Sequence, residues 1–492
     1  MKRYLLEIAV FLCGAIVMIY EIVGSRVVAP HFGTSIYVWT SLIGVILASL
    51  SIGYYLGGRL ADKNPSFKQL AYIIFGASIF IIVSVTFKEI ILNFLSGNLN
   101  GMMIRSLLAA ILLFAPASIF LGMVSPYAVR LKLTNINSSG RIVGNLYAIS
   151  TVGSIVGTFL AGFLLIPLLG TSNILYIIAG ILILVALSLK LGFKGKGESI
   201  YFILVLLAAA LGMYESNTRN GEILEIDTRY NHVQIFEMDY WITGEPIKVM
   251  KVNDEYSSAM IPKNDSLVYE YLQFYELAEH FCPGFSKGLI IGGAAYSFPR
   301  YYLQKYKDAS IDVVEIDPGL TKLAREHFRL TDDPRMRIFH EDGRTFLNKQ
   351  EGKYDIIYGD AYKSLLAIPF QLTTLEATWK KYNMLNESGI VIENIIASVE
   401  GPASKFMKAE YNTFKQVFPH VYIFACHDPE DIELLQSISL IAIKSKAEPS
   451  LVSDDEILNK YLKHRVIPSI PENTIVLTDN YAPVEYFAMK AF

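Results

Sequence analysis

"VVEIDPGL", residues 313–320, decides how the second half of the chain folds. Val313, Val314 and Ile316 suit a strand, Glu315 and Asp317 close it with carboxylates, and Pro318 stands where a helix would begin. In a doubly wound α/β sheet, ligands bind beyond the carboxyl ends of the strands, at the switch point of the topology. The flanking sequence repeats the pattern. From Lys287 onward the strand candidates "GLIIGG", "IDVVEID", "MRIFHED", "YDIIYGD", "GIVIENII", "VYIFAC" and "SISLIAIK" alternate with helical stretches, which predicts such a sheet. Gly292 and Gly293 end the first strand, Glu315 and Asp317 the second, Asp342 and Gly343 the third, and Asp360 the fourth.

Those positions dictate a chemistry. Glycines let the backbone approach a ligand closely. A carboxylate about 20 residues beyond a glycine turn is placed to accept hydrogen bonds from a ribose diol, the role expected of Glu315. Asp342 is placed to accept from the exocyclic amine of adenine, and Gly343 to let the base pack on the chain. Asp317, just before Pro318, reads equally as the cap of the next helix. "GGAAYS" (292–297) lacks the G-x-G-x-x-G phosphate turn, so an adenosyl ligand without phosphates fits better than a nicotinamide dinucleotide. Before this domain, assigned to 266–492, "EILEIDTRYNHVQIFEMD" and "PIKVMKVND" alternate as hairpin strands, giving a small β subdomain at 216–265.

The first 215 residues have a different solvent. Apolar runs near 4–26, 37–58, 69–87, 104–126, 146–169 and 172–190 reach the roughly 20 residues a transmembrane helix needs. A seventh, 199–214, is barely long enough, and it decides on which side the catalytic domain lies. The sequence thus predicts a multi-pass helical domain in the cell membrane, with the lipid bilayer as a partner. Lys2 and Arg3, then Arg59, Lys63 and Lys68, then Arg130, Lys132 and Arg141, then Lys190, Lys194 and Lys196 fall on one side, which puts the amino terminus inside. No small-residue cleavage site marks the first helix as a signal peptide. Gly144, Gly153, Gly157 and Gly162 are expected to let helices pack closely. Glu21 reads either as an interfacial partner of Arg26 or as a substrate-facing carboxylate, and His31, in "APHFG", is expected in a loop.

The formal net charge of -3 gives no basic excess, so nucleic acid is not an expected partner. Cys13, Cys282 and Cys426 stand far apart and form neither a metal pair nor a disulfide framework, and no metal site is expected.

Two resemblances extend this reading. "GGRLADK" (57–63) and "GNLYAISTVGSIVGTFLAG" (144–162) resemble the second loop and fifth helix of major facilitator transporters, of which six helices would be one half. From about residue 222 the chain resembles the spermidine synthase family through "GLIIGGAAYS", "VVEIDP", "HEDGR", "YDIIYGDAY" and "LTDNYAPVE", and the whole chain resembles membrane-bound spermidine synthase-like proteins. That resemblance implies a methyltransferase-like Rossmann domain and a group-transfer activity, aminopropyl transfer in the family. It implies decarboxylated S-adenosylmethionine as co-substrate, with the intact form also open. Asp360 matches the base that deprotonates a small-molecule amine acceptor, and Asn231 in "TRYN" stands in for a cofactor-binding glutamine.

The chain also departs from the family. Ala295 occupies the place of the aspartate that holds the aminopropyl chain, and Lys363 that of a polyamine-binding aspartate, so putrescine is expected to be a poor acceptor. A lyase acting on S-adenosylmethionine, a transporter or sensor that binds a nucleoside without turnover, and assembly as a homo-oligomer stay open at this point.

Overall fold

The computed structural model describes residues 4–33, 35–99, 101–133, 135, 138–192, 205, 223–240, 243–253, 255–264, 266–349, 351–361 and 367–489. It divides into two compact units, Met1–Gly221 and Glu222–Phe492.

The first unit holds six helices among its described residues: α1 (Leu5–Phe32), α2 (Ile36–Lys63), α3 (Phe67–Asn98), α4 (Met102–Lys132), α5 (Ser139–Leu168) and α6 (Thr171–Gly192). All six are long and apolar enough to cross a bilayer. Apart from Val205, the seventh run at 199–214 lies outside the described residues.

Several helices outrun their apolar stretches. α1 continues through Pro30 and His31 and stops at Gly33, whose φ of 70° suits a residue without Cβ and whose N–H donates to the Ala29 carbonyl at 2.9 Å. His31 is therefore helical, not in a loop, and its Nε2 lies 3.1 Å from Asn93 Oδ1. α5 carries a π-turn at Ala161–Leu165 just before Pro167.

Small residues let these helices touch backbone to backbone. A Cβ on Gly153 would stand 2.1 Å from the Phe11 carbonyl oxygen, and one on Gly157 2.2 Å from that of Ala15, so α1 and α5 meet at van der Waals limits. Gly53 and Gly57 do the same for α2 against Ile119 and Met123 of α4. Gly144 and Gly162 differ from expectation: among the described residues nothing lies within 4 Å of a Cβ at either. Inside the bundle, Tyr20 of α1 and Ser84 of α3 both donate to the Leu113 carbonyl of α4. That carbonyl is next to the one Pro116 leaves without its helical donor.

The second unit opens with a four-stranded antiparallel meander, β1 (Leu224–Asp227), β2 (His232–Asp239), β3 (Pro246–Val252) and β4 (Glu255–Met260). The main sheet comprises β5 (Lys287–Ile291), β6 (Ser310–Val314), β7 (Met336–Phe339), β8 (Tyr354–Gly359), β9 (Leu385–Ala397), β10 (His420–Ala425), β11 (Gln436–Ile443) and the two-residue β12 (Arg465–Val466). Its order is β12-β10-β11-β9-β8-β5-β6-β7. β7, β6, β5, β8 and β9 run parallel, whereas β11, β10 and β12 pair antiparallel, so the sheet is mixed rather than wholly parallel. Helices α7 (Ser297–Lys305), α8 (Pro318–His327) and α9 (Gly343–Lys349) follow β5, β6 and β7, while α10 (Leu375–Met384) and α11 (Lys405–Lys415) flank β9. Strand order reverses between β5 and β8, which places the switch point at Gly292 and Asp360. Cys282 and Cys426 are buried free thiols, as is Cys13 in the first unit.

Leucine at Gly153 or Gly57 should disrupt the bundle, since overpacking a tight contact costs about 1–3 kcal/mol and here the backbone itself must move. Leucine at Gly144 should be tolerated. Thermal unfolding of the detergent-purified protein checks the contrast, and equal melting temperatures for Gly153→Leu and Gly144→Leu would contradict the packing described.

Candidate active site

One cavity of about 600 Å³ opens at the carboxyl ends of β5, β6, β7 and β8, and Asn231, Gly292, Gly293, Glu315, Asp342, Gly343 and Asp360 all line it. Strand ends thus bring Gly292, Gly293, Glu315, Asp342, Gly343 and Asp360 to one place, Asn231 joins them from the β1–β2 turn, and the strand-end carboxylate Asp317 stays outside the lining. Lys363 lies outside the described residues.

Gly292 is demanded by sterics. Its φ is 107°, and a Cβ there would sit 2.1 Å from the Asp360 carbonyl oxygen. Beyond Gly293 the turn bends sharply without glycine: Ala294 and Tyr296 adopt φ of 43° and 59°, the left-handed region that costs an ordinary residue roughly 1–2 kcal/mol. Tyr296 is fully buried and its hydroxyl lies 2.7 Å from Thr321 Oγ1 on α8, an anchor that opposes the strain.

Glu315 is buried and already engaged. Its Oε2 accepts from the N–H groups of Gly293 and Ala294 at 2.9 and 3.0 Å, and its Oε1 from that of Asp317 at 2.9 Å. Burial raises its pKa, and the three backbone donors oppose the rise. The carboxylate thus shapes the glycine turn, and the lone pair left on Oε1 can serve a diol.

Asp317 turns out to be the helix cap. Its Oδ1 accepts from the Gly319 N–H at 2.9 Å, while Oδ2 accepts from Thr228 and, at 2.8 Å, from Asn231 Nδ2. Asn231 Oδ1 in turn accepts from Asn253 Nδ2 at 2.7 Å, so most of its amide fixes the β1–β2 turn against α8. Asp342 caps α9 through its Oδ1, which accepts from the Thr345 N–H at 3.0 Å. A Cβ on Gly343 would stand 2.7 Å from Ile291 Cγ2. Ala295 packs in an apolar cluster with Val233, Val252 and Leu320, and its N–H donates to Ser258 Oγ at 3.2 Å.

Asp360 faces the cavity with both oxygens held. Tyr271 Oη donates to Oδ2 at 3.1 Å and Asn394 Nδ2 to Oδ1 at 3.0 Å. Burial pushes its pKa up to about 6, against these hydrogen bonds. Neither Tyr271 nor Asn394 was singled out in the sequence, although Asn394, a polar residue within the apolar run of β9, was a visible anomaly. The remaining wall is aromatic and acidic, with Tyr230, Tyr256, Tyr269, Glu255 and Glu270. Two motifs far apart in the chain meet beside it: Arg344 of "HEDGR" forms two hydrogen bonds to Asp479 of "LTDNYAPVE", at 2.9 and 2.6 Å, and donates to the Gln371 carbonyl at 2.8 Å.

Residues 274–450 match the spermine/spermidine synthase domain. A polyamine aminopropyltransferase of Vibrio vulnificus is 27% identical over 184 residues, covering 37% of this chain and 57% of that protein, so the chain spans little more than half that relative's length. Polyamine aminopropyltransferase 2 of Aquifex aeolicus is 22% identical over 401 residues, 79% of this chain and 78% of that one. Among solved structures, a probable spermidine synthase from Corynebacterium glutamicum aligns at 21% identity and a TM-score of 0.42, over 51% of this chain and 94% of its own. Over residues 274–450 the second unit is therefore similar to the spermine/spermidine synthase domain.

Replacing Ala294 with glycine should stabilise the protein by about 1 kcal/mol, because the left-handed turn then carries no Cβ. Denaturant unfolding of the full chain measures this, and a destabilised Ala294→Gly variant would show that the turn is not strained.

Proposed function

We propose that the chain is a membrane-anchored transferase that moves an aminopropyl group from decarboxylated S-adenosylmethionine to an amine. The observation that carries the reading is Asp360: a carboxylate at the switch point, facing a large cavity, with a pKa pushed up to about 6 and both oxygens held in place. A base tuned toward neutrality suits proton removal from an ammonium group. The domain match over residues 274–450 supports the same assignment.

In this reading Glu315 and Asp342 hold the ribose and adenine of the co-substrate, and Gly292, Gly293 and Gly343 let it lie against the backbone. Asp360 takes the proton from the acceptor's ammonium. The freed nitrogen then forms a bond to the aminopropyl carbon as that carbon's bond to sulfur breaks, and methylthioadenosine leaves. Tyr230, Tyr256 and Tyr269 with Glu255 and Glu270 offer ring faces and carboxylates suited to a cationic acceptor. Ala295 removes the family's anchor for the aminopropyl amine, and Lys363 adds a positive charge near the catalytic segment in sequence. Both favour an acceptor other than putrescine. The six apolar helices support placement in the cell membrane as a multi-pass protein, a half-transporter-like segment that would present an acceptor from the bilayer side.

Asp360→Asn should lower turnover by about 100- to 10,000-fold while nucleoside affinity stays near that of the parent, because the amide keeps the shape and loses the proton acceptor. Aminopropyl transfer from decarboxylated S-adenosylmethionine to a panel of amines, alongside calorimetry with methylthioadenosine, tests this. An undiminished rate would remove Asp360 as the base, and binding without any transfer would favour a sensor. Since the base must be ionised, activity should fall as pH drops through about 6. Glu315→Gln should weaken methylthioadenosine binding roughly ten- to a hundred-fold through loss of a charge-assisted hydrogen bond.

A further inference from the structure

Behind the strand that carries Asp360 lies a buried cluster of charges that the transfer reaction does not use. Lys381 of α10 donates to Glu393 Oε1 of β9 at 2.5 Å and to the Leu372 carbonyl at 3.1 Å. Glu410 of α11 completes the group, and among the described residues no donor reaches its Oε2. All three side chains are buried. Together they line a small cavity of about 20 Å³, and four of its other lining residues, Ile291, Ala361, Pro369 and Leu372, also line the large one.

Glu393 is built into the catalytic strand end. It is the register partner of Gly359 across the β8–β9 pair, and a Cβ on Gly359 would fall 1.8 Å from Glu393 Oε2. The carboxylate therefore occupies the space a side chain at 359 would need, directly against the backbone that leads into Asp360. The next residue, Asn394, points to the other face of the sheet and holds Asp360 Oδ1. β9 thus addresses Asp360 twice, once by hydrogen bond and once by charge.

We propose that Glu393, held by Lys381 and backed by Glu410, is a positioning residue that raises the pH at which Asp360 becomes a base. The proposal rests on the reading of Asp360 as the base. The titratable groups facing Asp360 are Tyr271 and Tyr275 from the 270–281 segment and Glu393 from β9, and the negative charge of Glu393 adds to the rise in the Asp360 pKa that burial causes. Those facing Glu393 are Lys381 and Glu410. Burial, with the neighbouring Glu393 carboxylate, pushes the Glu410 carboxyl up, against the pull of Lys381. Buried ion pairs add little stability compared with apolar replacements, so a role in tuning accounts for one here better than a role in folding.

A small apolar carbodiimide adds only to protonated carboxyl groups. The fraction of the Asp360 peptide modified across the pH range, read by mass spectrometry on the full-length detergent-purified protein, therefore follows Asp360 protonation without any turnover. Glu393→Gln should lower the midpoint by about one pH unit, since a neighbouring like charge has been removed. Should that variant fail to fold with Lys381 left unpaired, the double variant Lys381→Met/Glu393→Gln keeps the buried charge balanced, and its midpoint should move the same way. An unchanged midpoint in the folded variant overturns the proposal. A lowered midpoint in a protein that transfers no aminopropyl group supports the tuning of Asp360 while rejecting the transferase reading. A working transferase whose acidic limb and labelling midpoint both ignore the substitution does the reverse.

Discussion

The geometry of the candidate site depends on the close passage of two chain segments. Where β5 and β8 end side by side, Gly292 runs beneath Asp360 with no room for a Cβ, and the Asp360 N–H donates to the Ile291 carbonyl at 2.9 Å. This contact places Asp360 at the one point of the sheet where strand order reverses and a cavity can open. The glycine turn then swings away under the control of Glu315, and each following strand adds a residue to the same rim. Were the passage wider, Asp360 would reach neither Tyr271 nor Asn394, and the burial that raises its pKa would be lost.

How much of this was legible depended on whether the signal was local. Glycines and carboxylates at strand ends are fixed by the period of each strand, so Gly292, Glu315, Asp342 and Asp360 could be read directly and do share one cavity. Asp317 was ambiguous because capping and ligand binding ask for the same residue type, and only the structure shows its oxygens committed to Gly319, Thr228 and Asn231. Tyr271, Asn394 and the Lys381–Glu393 pair were missed because their partners lie across the sheet, where no spacing rule connects them. The antiparallel pairing of β10 and β11 was equally hidden, since an apolar strand reads the same in either direction.

The first unit obeys a different constraint. If its helices sit in the bilayer as proposed, their association relies on contact and on satisfied backbone rather than on expulsion of water. Gly53, Gly57, Gly153 and Gly157 supply the contact, and Tyr20 and Ser84 supply donors near the helix interruption at Pro116. Gly144 and Gly162, which face no neighbour among the described residues, show that small residues permit approach without compelling it.

The pairing of Arg344 with Asp479 has a consequence for biosynthesis. The two residues are separated by 135 positions, and Arg344 also grips the Gln371 carbonyl in the wall of the cavity. Synthesis runs from the amino terminus, so the strands carrying Glu315 and Asp360 leave the ribosome well before the aspartate that neutralises Arg344. Until Asp479 emerges, that wall has one of its tethers but not the counter-charge that fixes the tether's direction. Assembly of the site is therefore a late event in the life of the nascent chain, completed by a segment that supplies none of the residues proposed to touch the nucleoside.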